Sequence, residues 1–249
     1  MFYCPLCKKT VKHWLPYSSR KQVACPHCRS AERHRLTALY LSANKMFFDK
    51  LLHIAPERSL QNLFKSHSNE YICGDLDPHR YRDFNAVKLD ATDMNNLKND
   101  SFDCVYASHI LEHIVEDRKA MSECYRVLKE GGVLIALIPQ KFDLKISDED
   151  YSVNTPEGRK ERYGCWDHVR YYGLDFSERL KECGFHVSIY YIHKEAEKNI
   201  EKMVYDDKYL LVNDSNDSND YDKELLGSRN HFSKYNLNKY EFIYVCKKI

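Results

Sequence analysis

Nowhere in the 249 residues does an apolar run approach the roughly eighteen needed to cross a bilayer, so no membrane association is expected. The opening Met1-Phe2-Tyr3-Cys4-Pro5 lacks the apolar core of a secretory signal. With no mark of export, a cytoplasmic setting is expected, and the ten cysteines read as thiols and metal ligands rather than disulfides. Net charge is nearly absent as well, at +1. That balance hides an asymmetry. Residues 1–35 carry eight Lys and Arg against the single acid Glu32, a surplus of +7, and the remainder stands at −6. Such a basic head either binds phosphates or docks on the acidic body behind it. The 43% of apolar residues excludes wholesale disorder, and the length admits one α/β domain plus a small module.

Four cysteines fall in two tight pairs. Cys4-Pro5-Leu6-Cys7 and Cys25-Pro26-His27-Cys28 form C-x2-C-x17-C-x2-C. Two intervening residues let both thiolates of a knuckle grip one ion, and two knuckles complete a tetrahedral, closed Cys4 zinc site of structural type. Two redox CxxC pairs are the competing reading; the pairing and spacing favour zinc. His13, His27 and His34 are available as substitutes for a cysteine, but nothing requires them. The other six cysteines (Cys73, Cys104, Cys124, Cys165, Cys183 and Cys246) are scattered and read as small core residues. Phe2, Tyr3, Trp14 and Tyr17 suit a nucleic-acid surface, but so small a module needs its aromatics to cover its own core, and that reading is preferred. The expected organisation is a zinc ribbon over residues 1–35 and an α/β domain over 36–249. Ser30 is expected to cap a helix whose apolar face is Leu36, Leu39, Tyr40 and Ala43.

Beyond residue 48 strands and helices alternate. Strands are predicted over 51–55, 71–74, 86–89, 102–107 and 133–138, the last apolar on both faces like a central parallel strand. Helical spacing joins Leu60, Leu63 and Phe64, and then Ala120, Met121, Cys124, Val127 and Leu128, with Gly131-Gly132 expected to stop the second helix. Asp175 and Glu178 suggest a capping box and Gly184 a helix end, followed by strands over 185–192 and 240–246. The polar stretch at about 213–222 reads as a loop; a solvated loop is a simpler account of it than a calcium site. The alternation predicts an open, doubly wound parallel sheet with helices on both faces.

Three segments carry a family resemblance: Ser101-Phe102-Asp103-Cys104-Val105, Leu111-Glu112-His113-Ile114, and Tyr125-Arg126-Val127-Leu128-Lys129-Glu130-Gly131-Gly132. Over residues 48–249 the chain resembles the class I S-adenosylmethionine (SAM)-dependent methyltransferases. With the ribbon, His53-Ile54-Ala55-Pro56-Glu57 and Asp167-His168-Val169-Arg170, it resembles a type 11-like bacterial subgroup of that class. The resemblance implies a Rossmann-like seven-stranded sheet with a final antiparallel strand, and SAM bound over the carboxyl ends of the first strands. It makes Asp75 the acceptor for the ribose hydroxyls, with Asp77 in reserve, and Asp90 the partner of the adenine amino group; the alternative role for each aspartate is a loop cap. His53, Ala55, Glu57 and Ser108 complete the implied cofactor set. The chain departs from the family where Ala55 and Glu57 replace the glycines of a D-x-G-x-G-like turn. Ala55 still leaves room, Pro56 fixes a turn, and Glu57 is available to the cofactor's amino group.

Methyl transfer needs alignment and, where the acceptor holds a proton, a base. Candidate bases are His109, Glu112 and His113 after the fourth strand, and Tyr163, Asp167 and His168 between Gly158 and Gly173, with Arg170 as an anion contact. For each histidine a structural role is the alternative. The preferred function is O- or N-methylation of a small molecule, such as a sugar or nucleotide-linked metabolite. An RNA methyltransferase using the basic ribbon and a catalytically silent binding protein remain alternatives. No Asn-Pro-Pro-Tyr-like motif follows the fourth strand, which favours the small molecule.

Overall fold

A computed structural model describes residues 1–18, 20–192, 197–210, 237 and 242–249. The stretch 213–222 lies outside them. Two short antiparallel hairpins open the chain. Phe2–Cys4 (β1) pairs with Lys9–Val11 (β2), and Leu15–Tyr17 (β3) with Arg20–Ala24 (β4). Each CxxC knuckle ends in a left-handed residue, Lys8 (φ 56°) and Arg29 (φ 61°). Its amide returns to the carbonyl of the first cysteine, at 2.8 Å for Lys8 to Cys4 and 2.9 Å for Arg29 to Cys25. The same turn is therefore built twice. Trp14 and Val11 pack with the cysteines into a small core that Phe2 and Leu6 cover, the role preferred for these aromatics.

Helix α1 (Glu32–Ala43) runs across residue 35, the expected domain boundary, and is buried almost all round. Ala31, not Ser30, is its N-cap, and its free N–H donates to His34 Nδ1 at 3.0 Å. Ser30 is instead sealed against the cysteine cluster.

The body is one eight-stranded sheet. In chain order its elements are Phe48–Ile54 (β5), Gln61–Ser66 (α2), Ser68–Asp75 (β6), Val87–Lys88 (β7), Phe102–Ser108 (β8), Asp117–Val127 (α3) and Leu128–Leu137 (β9). There follow Asp148–Glu149 (β10), Pro156–Tyr163 (α4), Arg170–Tyr171 (β11), Phe176–Glu182 (α5), Phe185–Tyr191 (β12), Glu197–Ile200 (α6), Asp207–Leu210 (β13) and Phe242–Lys248 (β14). Strand order across the sheet is β13-β12-β14-β9-β8-β5-β6-β7, with β14 antiparallel to both neighbours and the other pairs parallel. Seven of these are the strands expected; β13 is an added edge. β10 and β11 form a separate two-stranded ribbon.

From Cys104 onward, alternation along β8 sends Val105 and Ala107 to one core with α3 and α5, and Cys104 and Tyr106 to the other with α1 and α2; a register shift between Phe102 and Cys104 returns Phe102 to the first. Helices therefore cover both faces. Of the six scattered cysteines, Cys73, Cys104, Cys124 and Cys246 are buried, while Cys165 and Cys183 are half-buried.

Three local expectations are corrected. Helix α3 stops at Val127, and Gly131-Gly132 lie inside β9, where Gly131 takes φ +76°. No capping box forms at α5, because the Asp175 carboxylate accepts from the amide and hydroxyl of Ser147 (2.8 and 2.6 Å) instead of its own helix. Helix α4 was not foreseen. Its signals are local: Thr155 accepts from Gly158 N at 3.1 Å, Pro156 opens the first turn, and Gly164 closes it at φ +75°.

Candidate functional site

The chain leaves β5 toward β6 and β7 on one side, then returns to place β8 on the other. The carboxyl ends of β5 and β8 thus flank the switch point, where open α/β sheets bind ligands. With Ile54 opposite Ala107, the loops starting at Ala55 and at His109 emerge side by side. Both begin strained: Ala55 has φ +49° and His109 φ +52°. For non-glycine residues this costs on the order of 1 kcal/mol each, and such strain concentrates at functional sites. Ala55 is small enough to let a ligand approach the backbone where the family has glycine.

Helix α1 reaches into this crevice. Glu57 Oε1 accepts from Arg33 Nε (2.9 Å) and Nη2 (2.7 Å) and from His34 Nε2 (2.6 Å). Because His34 Nδ1 accepts the Ala31 amide, the ring proton sits on Nε2, aimed at Glu57. Burial works to raise the Glu57 pKa, but His34 and Arg33 hold it well below the ordinary carboxylate range. Its other oxygen, Oε2, is buried without a hydrogen-bond partner. The Ser108 hydroxyl is likewise buried and makes no hydrogen bond. Two orphaned polar atoms flanking the switch point suit a polar ligand such as the amino-acid end of SAM.

Asp75 stands half-buried at the end of β6, with Oδ1 on the Asp77 amide (2.8 Å) and Oδ2 on the Tyr81 hydroxyl (3.2 Å). Each oxygen keeps a lone pair for a ribose hydroxyl. Asp90 is exposed, and its Oδ1 caps its own loop through the amide (2.8 Å) and hydroxyl (2.7 Å) of Thr92.

Two of the expected contacts are corrected. His53 is fully buried, accepts the Glu57 amide on Nε2 (3.3 Å) and therefore donates from Nδ1 to the Tyr71 hydroxyl (3.0 Å). Burial lowers its pKa to about 3, so it is a neutral core residue that positions the Glu57 loop rather than a ligand contact. Arg170 is also fully buried. Its guanidinium donates to Glu149 (2.7 Å), to the carbonyls of Leu111 (3.1 Å), Ile114 and Val115 (2.8 Å), and to the Tyr151 hydroxyl (3.2 Å). With its donors spent, it braces the loop after β8 and meets no acceptor. Arg179, bound to Asp117, Glu149 and Asp175, extends this buried network and was not singled out in the sequence.

The braced loop carries Glu112 and His113, and the amide of Val169 bonds the Glu112 carbonyl at 2.9 Å, bringing His168 across to them. Glu112 is only 1% exposed, and neither carboxylate oxygen has a hydrogen-bond partner. Burial pushes its carboxyl up to about 8. His109 Nδ1 lies 3.6 Å from Glu112, and burial, then Arg33, pushes the His109 pKa down. His113 Nδ1 lies 3.3 Å from the Asp167 carbonyl and 3.4 Å from its carboxylate. His168 packs edge-on to His113, ring centroids 4.7 Å apart, and its Nδ1 is buried without a partner. Of the four expected catalytic residues, His109, Asp167 and His168 gather here, and Glu112 and His113 lie at the centre.

At the ribbon, Cys4 and Cys28 sulfurs lie 3.7 Å apart and those of Cys7 and Cys25 3.8 Å, with all four within 4.8 Å of one another. A tetrahedron with Zn–S bonds of about 2.3 Å has an edge of about 3.8 Å, so the set fits the ion. Ser30 Oγ lies 3.4 Å from Cys4 and 3.2 Å from Cys28. The histidines stay outside this set: His27 faces the Thr10 carbonyl at 3.3 Å, His34 serves Glu57, and His13 is exposed.

The profile of the methyltransferase domain family (Methyltransf_11) matches residues 56–136, beginning within the glycine-poor turn at Pro56. No curated protein matches the chain in sequence. Among solved structures, a SAM-dependent methyltransferase from Archaeoglobus fulgidus aligns at TM-score 0.52 and 20% identity, over 86% of this chain and 94% of its own. A putative sarcosine dimethylglycine methyltransferase from Galdieria sulphuraria aligns at 0.50 and 13%, over 91% of each chain. The [4+2]-cyclase SpnF aligns at 0.53 and 14%, over 95% of this chain and 86% of its own. The fold alone therefore does not dictate the reaction. The sequence match adds that residues 56–136 are similar to a methyltransferase domain, on a fold shared with SAM-dependent methyltransferases. Among the described residues, no helix is long and apolar enough to cross a membrane.

Proposed function

We propose that the protein transfers the methyl group of SAM to a small polar acceptor, with the Cys4 ribbon held by a structural zinc ion. The observation that carries the reading is the titratable cluster of His109, Glu112, His113 and His168 beside the switch-point crevice. In this reading Asp75 accepts the ribose hydroxyls, Glu57 and Ser108 meet the amino-acid end, and Asp90 borders the adenine. His109 is the base, and Asp167 orients His113.

The charge distribution supports a small acceptor over RNA. Three of the eight cations of the head are spent internally: Arg20 on Glu32 (2.9 Å), Arg33 on Glu57, and Arg35 on the carbonyls of Val23 and Ser30. Near the acceptor side Arg162 is neutralised by Asp148 (2.7 Å) and Asp150 (2.6 Å). A polyanion gains affinity from each free phosphate contact, and on the head Lys8, Lys9, Lys12, Lys21 and Arg29 remain exposed for it.

Calorimetry with SAM tests the cofactor reading. Binding is expected, and Asp75→Ala should weaken it by about 1.5–3 kcal/mol through lost charge-assisted hydrogen bonds. An intact protein that does not bind SAM is a silent relative. Tight, salt-steep RNA binding with methyl incorporation into RNA, both lost on reversing the ribbon lysines, overturns the small-molecule assignment.

A further inference from the structure

We propose that Glu112, His113 and His168 form a divalent metal site with open coordination positions, built to hold an acceptor that presents two adjacent oxygens. The proposal rests on the methyltransferase reading for its chemistry, but on geometry alone for the ion.

One ligand atom from each of the three residues lies within 4.8 Å of the others. Each is poised to bind. His113 Nδ1 faces the main-chain carbonyl of Asp167, which can only accept, so the ring proton sits there and the Nε2 lone pair is free, 3.9 Å from Glu112 Oε1. This is the usual outer-shell arrangement of a metal-ligating histidine, whose far N–H is held by a carbonyl or carboxylate. His168 Nδ1 and both oxygens of Glu112 are buried with no hydrogen-bond partner. A protein rarely leaves a buried carboxylate and a facing imidazole nitrogen both unsatisfied, and one cation satisfies them together.

The scaffold is rigid where the site needs it. Arg170 clamps the carbonyls on either side of Glu112-His113, and the Val169 amide ties the His168 segment to Glu112. Ligand bonds of about 2.0–2.2 Å bring donor atoms to about 3.0–3.5 Å from one another, so binding requires closure of about 1 Å. Two imidazoles and one carboxylate favour Zn2+, Co2+ or Fe2+ over Mg2+ or Ca2+, and leave positions free for substrate.

Two neighbouring oxygens of an acceptor, as in a vicinal diol, complete the coordination. One hydroxyl, made more acidic by the ion, passes its proton to the imidazole of His109, which lies beside Glu112. Its oxygen forms a bond to the SAM methyl carbon as the carbon–sulfur bond breaks and the electron pair goes to sulfur, leaving S-adenosylhomocysteine. The site thereby favours oxygen over nitrogen methylation. Cys165, Asp167 and His168 make a second group of similar spread that shares His168.

The experiment titrates the full chain, its ribbon already loaded with zinc, with CoCl2 while recording visible absorption and heat. Wild type should take one further equivalent with the weak bands of a nitrogen–oxygen site. Glu112→Gln, His113→Ala and His168→Ala should each weaken that binding by about 100-fold or more, Asp167→Asn by about 10–100-fold, and Cys165→Ser not at all. SAM calorimetry on the same variants reports separately on the methyltransferase reading and on folding. A wild-type chain that binds SAM but no second ion overturns the proposal, as does unchanged cobalt binding in the three ligand variants. Cobalt binding lost in Cys165→Ser overturns the ligand set. If cobalt binds and SAM does not, the site stands and the methyltransferase reading fails.

Discussion

Replacing Arg170 with alanine tests the assignment on which structure and sequence disagree most. The guanidinium is wholly buried, 2.7 Å from Glu149 and 3.6 Å from Asp117, and it satisfies the carbonyls of Leu111, Ile114 and Val115. Removing one partner of a buried charge network costs about 3–5 kcal/mol, mostly because the remaining charges lose compensation. Arg179 also holds Glu149 and Asp117, at 3.1 and 3.0 Å, so the lower end of that range is expected, about 3 kcal/mol. With a urea slope of about 3 kcal/mol/M for a chain of this size, the unfolding midpoint falls by about 1 M. Arg170→Lys keeps the charge but not the planar fork, and should lie between. The assay is urea unfolding followed by circular dichroism on zinc-loaded protein. A midpoint unchanged in Arg170→Ala, together with lost turnover on any acceptor found, refutes the bracing role and returns Arg170 to the acceptor pocket.

Two further outcomes follow from the site chemistry. Elemental analysis of protein purified without chelator should find a tightly held ribbon zinc, so that any serine at Cys4, Cys7, Cys25 or Cys28 lowers the zinc content by one equivalent; zinc-free, fully folded protein refutes the ribbon assignment. His53 stays neutral when folded, with a pKa near 3 against 6.5 in the open chain, so the unfolded state takes up the proton first as pH falls. Stability should therefore drop from about pH 6.5 downward, by up to about 1.4 kcal/mol per pH unit from this residue. His53→Asn should flatten the slope of urea midpoints between pH 7 and 5, though His34, whose pKa burial also lowers, keeps part of it. An unaltered slope counts against a neutral buried His53.

What could be read from the sequence was local. Two knuckles of fixed spacing announced the cysteine cluster because x2 is the length of one turn, and that turn forms whatever the rest of the chain does. The sheet was legible because apolar runs such as Val133–Ile138 have one buried solution in an alternating chain. The place of Asp75 at the end of a strand was legible because the apolar run before it stops there. Boundaries set by distant partners were not legible: Asp175 offers a capping pattern, yet Ser147, 28 residues away, takes its carboxylate. Charge in a sequence likewise does not say which side of the surface it occupies, and Arg170 and His53, polar residues beside the site, are sealed within the core. Tertiary structure alone brought Arg33 and His34 from the ribbon helix onto Glu57. It also placed His168 against Glu112 across more than fifty residues, through one backbone hydrogen bond from Val169. Hydrophobic period and turn chemistry are properties of neighbours along the chain, whereas desolvation and pairing of charges are properties of neighbours in space, and only folding decides those.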